Sequence, residues 1–231
     1  MGIPADVDAS TINFPTTVDT NNTVTSPFTA ADLALCFAAG TLIGTTQGDI
    51  PVESLTNEHE LLTPDGSVTK VLWVGQQTLR RRFSGSKALN MVRISAGALG
   101  DGLPKTDLTL TGDHGMIVDG YVVNASAMVN GTSITHIPIA DLPEEFSVYH
   151  VETENHDVIL ANGAQSESYI DAVGRARFDN YDEYLALNQA DRIIPEMSLP
   201  RISSWRHLPT SIKTRLGIPD HTDLSDLETV A

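Results

Sequence analysis

The stretch Leu35-Cys36-Phe37-Ala38-Ala39-Gly40-Thr41-Leu42-Ile43 holds the only cysteine of the chain and marks the point where the sequence changes character. Before it, residues 1 to about 30 are rich in Thr, Asn, Asp and Pro and hold too few apolar residues to build a core, which predicts an extended or mobile leader. A lone cysteine between Leu and Phe is, taken alone, most often a small buried apolar residue. Whether Cys36 is a nucleophile therefore depends on what the rest of the chain places around it.

Between Cys36 and about Tyr169, short apolar or alternating runs are separated by turn signals such as Asp119-Gly120 and Asn130-Gly131. The strand candidates, further along this stretch, are 68–74, 91–94, 108–110, 116–118, 121–123 and 148–151. Many short strands with Gly and Pro between them predict an all-β domain and not an alternating βαβ sheet.

After Tyr169 the apolar spacing becomes helical over 182–190 and 209–216, with prolines between these segments. We therefore predict a mostly helical or irregular extension over 171–231 that ends in an acidic tail. The predicted organisation is an N-terminal flank (1–35), a β domain (36–170) and this C-terminal extension.

The composition excludes several classes of function. The chain has 30 acidic and 14 basic residues, a formal net charge of −16 that repels phosphate backbones, so no nucleic-acid partner is expected. No apolar run reaches the length of a membrane span, and no cleavable secretion signal is visible, which fits a cytoplasmic protein or one exported without such a signal. One cysteine, and histidines without zinc-site spacing, predict no disulfide, no metal and no cofactor.

Three separated stretches carry the candidate chemistry: Cys36, the run Thr111-Gly112-Asp113-His114, and the late histidines His150 and His156. A thiol, a Thr-x-x-His and a late histidine are the parts that an acyl shift requires. Since tens of residues separate them, only tertiary folding can bring them together.

Taken in order, these stretches resemble the Hint (Hedgehog/intein) domain family, and specifically its bacterial Hint-type or bacterial-intein-like members. The similarity spans about 36–180 and is carried by 36–41, 51–55, 92–104, 110–114, 129–131, 149–152, 156–161 and 167–169. The resemblance implies a horseshoe-like β fold with pseudo-twofold symmetry, and a single-turnover, self-cleaving activity.

The resemblance also implies residue roles. Cys36 would attack the carbonyl of Leu35 and convert the Leu35–Cys36 peptide into a thioester. His114 matches the histidine of the family's block B and would protonate the departing nitrogen, while Thr111 would hold the scissile peptide. The substrate would be the protein's own flank, residues 1–35, released to water or to another small external nucleophile.

Elementary chemistry supports these roles independently. An amide nitrogen leaves only when it is protonated, and a histidine of pKa about 6.5 can supply that proton near neutral pH. A thiol of pKa about 8.5 is scarcely ionised at pH 7, so the fold must lower its pKa or supply a base. Asp113 neighbours His114, but adjacent strand residues point to opposite faces, which favours exposure to solvent.

The late histidines have open roles. His150 stands where many inteins carry an aspartate that assists the cysteine, and the bacterial branch resembles the Tyr-His version found here. His156 fits a structural histidine and a catalytic one equally well.

The end of the similar region departs from the splicing pattern, because it reads Ala161-Asn162-Gly163-Ala164-Gln165-Ser166-Glu167-Ser168-Tyr169 and lacks a terminal His-Asn. It is closer to the end of a Hedgehog-type domain, which predicts cleavage without ligation of two flanks. Cyclisation at Gln165 or at Asn162-Gly163 is a minor alternative. The rival of a different class is a catalytically silent Hint module with an inert Cys36.

Overall fold

The computed structural model describes residues 35–81, 89–171, 174–188 and 192–219. The predicted leader up to residue 34 and the acidic tail from residue 220 lie outside the described residues.

The described residues form fifteen strands, two α-helices and several short 3₁₀ turns. The first strands are β1 (Phe37–Ala38), β2 (Leu42–Thr45), β3 (Gly48–Pro51), β4 (Glu60–Leu62), β5 (Val68–Lys70), β6 (Trp73–Arg80), β7 (Met91–Ile94) and β8 (Leu108–Thr111). They are followed by β9 (Gly115–Val118), β10 (Tyr121–Asn124), β11 (Ile134–His136), β12 (Glu145–Glu152), β13 (Val158–Ala161) and β14 (Ala164–Glu167). The extension adds α1 (Tyr181–Asn188), β15 (Arg201–Ile202) and α2 (Thr210–Leu216).

The strands form two sheets. One has six strands in the order β11-β7-β8-β1-β12-β6, and the other has nine, in the order β15-β10-β9-β14-β13-β2-β4-β5 with β3 paired to β2. Neighbours are antiparallel except for β10 and β15, which are parallel. The predicted all-β class is confirmed.

Between residues 68 and 74 the chain leaves one sheet and enters the other without a turn signal in the sequence. The single strand predicted over 68–74 is two strands, β5 in the larger sheet and β6 in the smaller one. Between them, the Val71 N–H donates to the carbonyl of His59, and the Leu72 N–H donates to the carbonyl of Glu152. The hydrogen bonds change sheet at this point, a change that apolar spacing does not reveal.

Apolar side chains of the two sheets form two clusters. The larger cluster includes Phe37, Ile43 and Leu110, and the smaller one contains Cys36 together with Trp73 and aromatic residues of the extension. The thiol therefore lies within the packed interior and not on the surface.

The extension, predicted as helical or irregular, packs onto both clusters. Phe178 and Tyr184 join the cluster of Cys36, whereas Ile202 and Ile212 join the larger one. Within the described segments, no helix is both long and apolar enough to cross a membrane.

Candidate active site

The Leu35–Cys36 peptide lies immediately before β1, an inner strand of the six-stranded sheet. β1 runs between β8 and β12, and Phe37 pairs with one residue of each. Continuing that antiparallel register by one residue places Cys36 between Thr111 and His150. Residues directly opposite each other on neighbouring strands point to the same face, so these three side chains share one face of the sheet.

Thr111 holds the backbone of Cys36 at two points. The Cys36 N–H, which belongs to the scissile peptide, donates to Thr111 Oγ1 at 2.9 Å, and the Thr111 N–H donates to the Cys36 carbonyl at 2.9 Å. The peptide before the thiol therefore has its N–H fixed by a buried hydroxyl.

A tight turn after Thr111 places His114 close to the same peptide, because the His114 N–H donates to the Thr111 carbonyl at 3.1 Å. The imidazole is fully buried and lies 4.2 Å from the Phe37 ring, centroid to centroid. Its Nε2 is 3.0 Å from Ser166 Oγ, while its Nδ1 is buried without a hydrogen-bond partner among the described residues. The backbone of Leu35, which carries the carbonyl of the candidate scissile peptide, also interacts with this ring.

The electrostatics keep His114 neutral near pH 7. Burial lowers its pKa from 6.5 to about 4, opposed in part by the charge of Glu167 and by the backbone at Leu35 and Glu167. Roughly one ring in a thousand would be cationic at pH 7. A resting His114 is therefore a proton acceptor first and a donor only after it has taken up a proton.

His150 is a second neutral imidazole in the same pocket. Its ring lies 5.1 Å from that of His114 and 5.2 Å from that of Tyr169, centroid to centroid. Both ring nitrogens are buried, and neither makes a hydrogen bond within the part of the chain that the structure describes. Burial, and next the proximity of His114, lower the pKa of His150 well below its ordinary value.

Cys36 is fully buried, and burial raises the pKa of its thiol well above the ordinary value. The resting group is therefore the thiol and not the thiolate, so an attack by sulfur requires a base. Two neutral imidazoles lie close by: His150 is opposite Cys36 when the sheet register is continued, and the His114 ring contacts that of His150.

His156 differs from both, because its two nitrogens have partners. Nε2 lies 2.9 Å from Glu167 Oε2, and Nδ1 accepts the Met197 N–H at 3.0 Å. Since Nδ1 accepts, Nε2 must carry the proton that is donated to the carboxylate. The same carboxylate forms an ion pair with Arg201 and accepts the Gly115 N–H at 2.5 Å.

Glu167 is the charged centre of this network, with its side chain fully buried. Burial alone would raise its pKa, but hydrogen bonds from His156 and Arg201 hold the pKa well below the usual range. The close approach of the carboxylate to β9 requires a glycine there, because a Cβ on Gly115 would lie 2.6 Å from Glu167 Oε1.

Comparison with known proteins bears on this arrangement. The family model described as "Hint domain" matches residues 35–173, which is more than half of the chain. The chain belongs to the Hint domain family. The predicted resemblance and fold are thereby confirmed, and the match begins at Leu35, on the amino side of the candidate scissile bond.

Solved structures similar to this Hint domain include a bacterial intein-like domain from Clostridium thermocellum, at 17% identity, with 59% of this chain and 100% of that chain covered and a TM-score of 0.44. The MchDnaB-1 intein is also 17% identical, with 58% and 99% covered and a TM-score of 0.43. A DnaB intein from Synechocystis sp. PCC 6803 is 12% identical, with 58% and 99% covered and a TM-score of 0.40. No curated protein matches the chain.

The extension of this Hint domain covers the cysteine pocket. Gly75 in β6 pairs with His150 in β12, and the Phe178 ring lies directly over Gly75. A Cβ on Gly75 would lie 2.7 Å from a carbon of that ring and 2.8 Å from Trp73. The glycine is thus needed for close approach, and an aromatic ring of the extension fills the space beside His150.

A buried ion pair fixes the same part of the extension. The Arg175 guanidinium donates to both oxygens of Glu152, at 2.6 and 3.1 Å, and both side chains are fully buried. It also lies between the rings of Tyr169 and Tyr184, 4.8 Å from each centroid. Since the Tyr169 ring contacts His150, this ion pair is also connected to the pocket.

The remaining candidates lie elsewhere in the Hint domain. Asp113 is exposed and accepts a hydrogen bond from Asn124, as its alternation with His114 predicts. The Asn162 side chain accepts the Leu42 N–H and donates to the Asp107 carbonyl, and Gln165 is exposed. The described residues contain no group of three or more His, Cys, Asp or Glu side chains placed to bind a metal ion.

Sequence reasoning did not single out Ser166 for contact with His114, or Glu167 and Arg201 as a charged network. The alternation along 164–168 places Ser166 and Ser168 on one face of the strand, but it does not distinguish the two serines. The sequence likewise does not predict the ion pair between Glu167 and Arg201. Only the pairing of β10 with β15 brings the two residues together.

Proposed function

We propose that this Hint domain cleaves its own chain by an N-to-S acyl shift at Cys36. The observation that carries the proposal is the hold on one peptide: Thr111 Oγ1 accepts the Cys36 N–H, and the buried His114 ring interacts with the backbone of Leu35. Membership of the Hint family supports autoprocessing as the class of activity.

The reaction moves one proton and exchanges one bond. The sulfur of Cys36 attacks the carbonyl carbon of Leu35, and the resulting tetrahedral intermediate collapses with cleavage of the bond between that carbon and the Cys36 nitrogen. The thiol proton passes to the nitrogen, which becomes a free amine, while the carbonyl is now joined to sulfur as a thioester. We assign this transfer to His114, which accepts the proton at Nδ1 and then donates it.

His150 is the second candidate for accepting the thiol proton, because the register places it across from Cys36. Thr111 orients the amide by its hydrogen bond and carries no proton away. For His156 we propose the structural alternative, since both of its ring nitrogens already have partners.

The thioester then reacts with water or with a small external nucleophile. With water, the C–S bond breaks, residues 1–35 leave with a carboxylate on Leu35, and the thiol of Cys36 is restored. The Asn162 side chain is held by two backbone groups, and Gln165 lies in the middle of β14, which supports cleavage without ligation.

The test is the intact mass of the full chain after incubation at neutral pH, with and without dithiothreitol or hydroxylamine. Both reagents attack thioesters, so they should increase the yield of a 36–231 product and, with hydroxylamine, leave a hydroxamate on Leu35. Cys36→Ala is the control that should stay whole. A parent chain of full mass under all conditions would overturn the proposal.

A catalytically silent Hint module is the second candidate function. It is favoured by the burial of Cys36, whose thiol is fully enclosed and has a raised pKa. In that case nucleophiles would release nothing, and Cys36→Ala would behave as the parent chain does.

A further inference from the structure

Ser166, on β14, is placed to determine which nitrogen of His114 carries the proton. Its side chain is fully buried. Ser166 Oγ lies 3.0 Å from His114 Nε2, and the same hydroxyl donates to the Gly115 carbonyl at 3.1 Å.

A serine hydroxyl has one proton and can donate only one hydrogen bond. A carbonyl oxygen can only accept, so the proton of Ser166 goes to Gly115. Toward His114 the hydroxyl must then accept, which requires a proton on Nε2. A neutral imidazole has one N–H, so Nδ1 is left with a lone pair.

We infer that Ser166 is a positioning residue that holds neutral His114 as the Nε2–H tautomer and leaves the Nδ1 lone pair free for the scissile peptide. Its value for cleavage rests on the proposed function. With the opposite tautomer, Nδ1 would already carry a proton and could not accept the one that leaves the thiol.

The position of Ser166 is fixed on both sides. Ser166 pairs with Met116 in β9, and the next residue, Glu167, accepts the Gly115 N–H at 2.5 Å. Gly115 is therefore bound at its N–H by Glu167 and at its carbonyl by Ser166. The hydroxyl cannot rotate toward His114 as a donor without leaving that carbonyl unpaired by Ser166.

The direct test is the nitrogen-15 NMR spectrum of the full chain carrying Cys36→Ala, which keeps residues 1–35 attached. The His114 signals are assigned by their loss on adding His114→Gln. We expect a protonated, pyrrole-type Nε2 and an unprotonated, pyridine-type Nδ1 at pH 7. A proton on Nδ1 would overturn the inference, whether or not the parent chain cleaves.

Variants with a matched control supply the second test. Ser166→Ala should mix the two tautomers and slow cleavage about tenfold, the effect of losing one hydrogen bond of ordinary strength. Ser166→Thr keeps a hydroxyl and should restore both the spectrum and the rate.

The control is Ser168→Ala, at a buried serine whose hydroxyl contacts Thr153 and the Asp157 N–H but not His114. It should leave the His114 spectrum unchanged. If Ser166→Ala and Ser168→Ala changed the spectrum and the rate equally, Ser166 would contribute only packing, and the inference would be wrong. If the parent chain never cleaves, the proposed function fails, but the tautomer measurement still decides the role of Ser166.

Discussion

Two groups of buried histidine lie within the described part of this Hint domain, and they differ in whether their ring nitrogens have hydrogen-bond partners. Around Cys36, three nitrogens of His114 and His150 have no hydrogen-bond partner among the residues described. Beside Glu167, both nitrogens of His156 are bound, one to a carboxylate and one to a backbone N–H. The residue type is the same and the burial is similar, so the difference lies in the partners.

Under the proposed function, the difference separates histidines that move a proton from a histidine that stabilises the fold. A buried polar atom without a partner costs about 1–3 kcal/mol, and His114 and His150 together have three such nitrogens. Because a neutral imidazole has one N–H and one lone pair, each of these two rings has only one nitrogen that can accept a proton. The paired nitrogens of His156 have no such availability, but they help to hold a buried charge in place.

The largest effect is expected for His114→Ala, which removes the group assigned to move the proton. Cleavage should slow by on the order of 10²–10⁴-fold, the usual contribution of a positioned acid or base. The measurement is the rate at which the 36–231 product appears by intact mass. Asp113→Ala, at the exposed neighbour, is the control and should cleave as the parent does; a parent-like rate for His114→Ala would show that the proton takes another route.

The next effect is a loss of stability in acid. The folded pKa of His114 is about 4 against an ordinary 6.5, so the unfolded chain binds the extra proton first as the pH falls. The contribution is present above pH 6.5 and is lost as the pH falls to about 4, and it amounts to about 3 kcal/mol. The pKa of His150 is lowered too, which adds to the loss in the same direction.

Urea unfolding of the Cys36→Ala chain at several pH values between 7 and 4 would measure this effect. Glu167 also has a lowered pKa, but its contribution is lost only as the pH falls below the ordinary value of 4.5. Loss of stability that begins near pH 6.5 therefore reports the histidines. A flat profile down to pH 5 would mean that the two imidazoles are not buried as neutral groups.

A smaller effect separates the two kinds of histidine directly. His156→Ala should lower the free energy of unfolding by about 2 kcal/mol, because it removes a hydrogen bond to a buried carboxylate, and should leave the cleavage rate of the folded protein near that of the parent. His150→Leu should raise the free energy of unfolding and slow cleavage, since it removes two unpaired nitrogens while keeping apolar bulk. Denaturation and cleavage rates measured on both variants would show these opposite effects on stability and on rate. Slower cleavage in folded His156→Ala would mean that His156 takes part in the reaction.

Much of this arrangement could be predicted from the sequence, and the exceptions have a common cause. The short runs after Cys36 predict the all-β class, and the ordered motifs predict the family. The resemblance also pointed to Cys36, Thr111 and His114, which the structure places side by side. His150 and His156 could not be told apart, because hydrogen-bond partners and not residue type distinguish them.

The remaining features depend on contacts between distant parts of the chain. Arg201 is 34 residues from Glu167 and reaches it only because β15 joins the sheet beside β10. Gly75 stands inside an alternating strand, where a glycine normally suggests only a weak point. Its function becomes visible once the Phe178 ring is seen above it.

That glycine offers the smallest change that tests how the extension relates to the pocket. A Cβ at Gly75 would meet the Phe178 ring at 2.7 Å, so Gly75→Ala must displace the ring or the strand. Overpacking of this kind costs about 1–3 kcal/mol, and we expect the lower part of that range because the ring belongs to a short segment that can shift. A displaced ring should also open the cysteine pocket, so the alkylation of Cys36 by iodoacetamide should become faster.

The control is the same glycine substitution in a Phe178→Leu background. There it should lower the free energy of unfolding by less, because the clashing ring is gone, and the double-mutant cycle isolates that contact. Equal costs in both backgrounds would mean that Phe178 does not cover the pocket, and the contrast between the unpaired histidines of that pocket and the paired His156 would lose its structural basis.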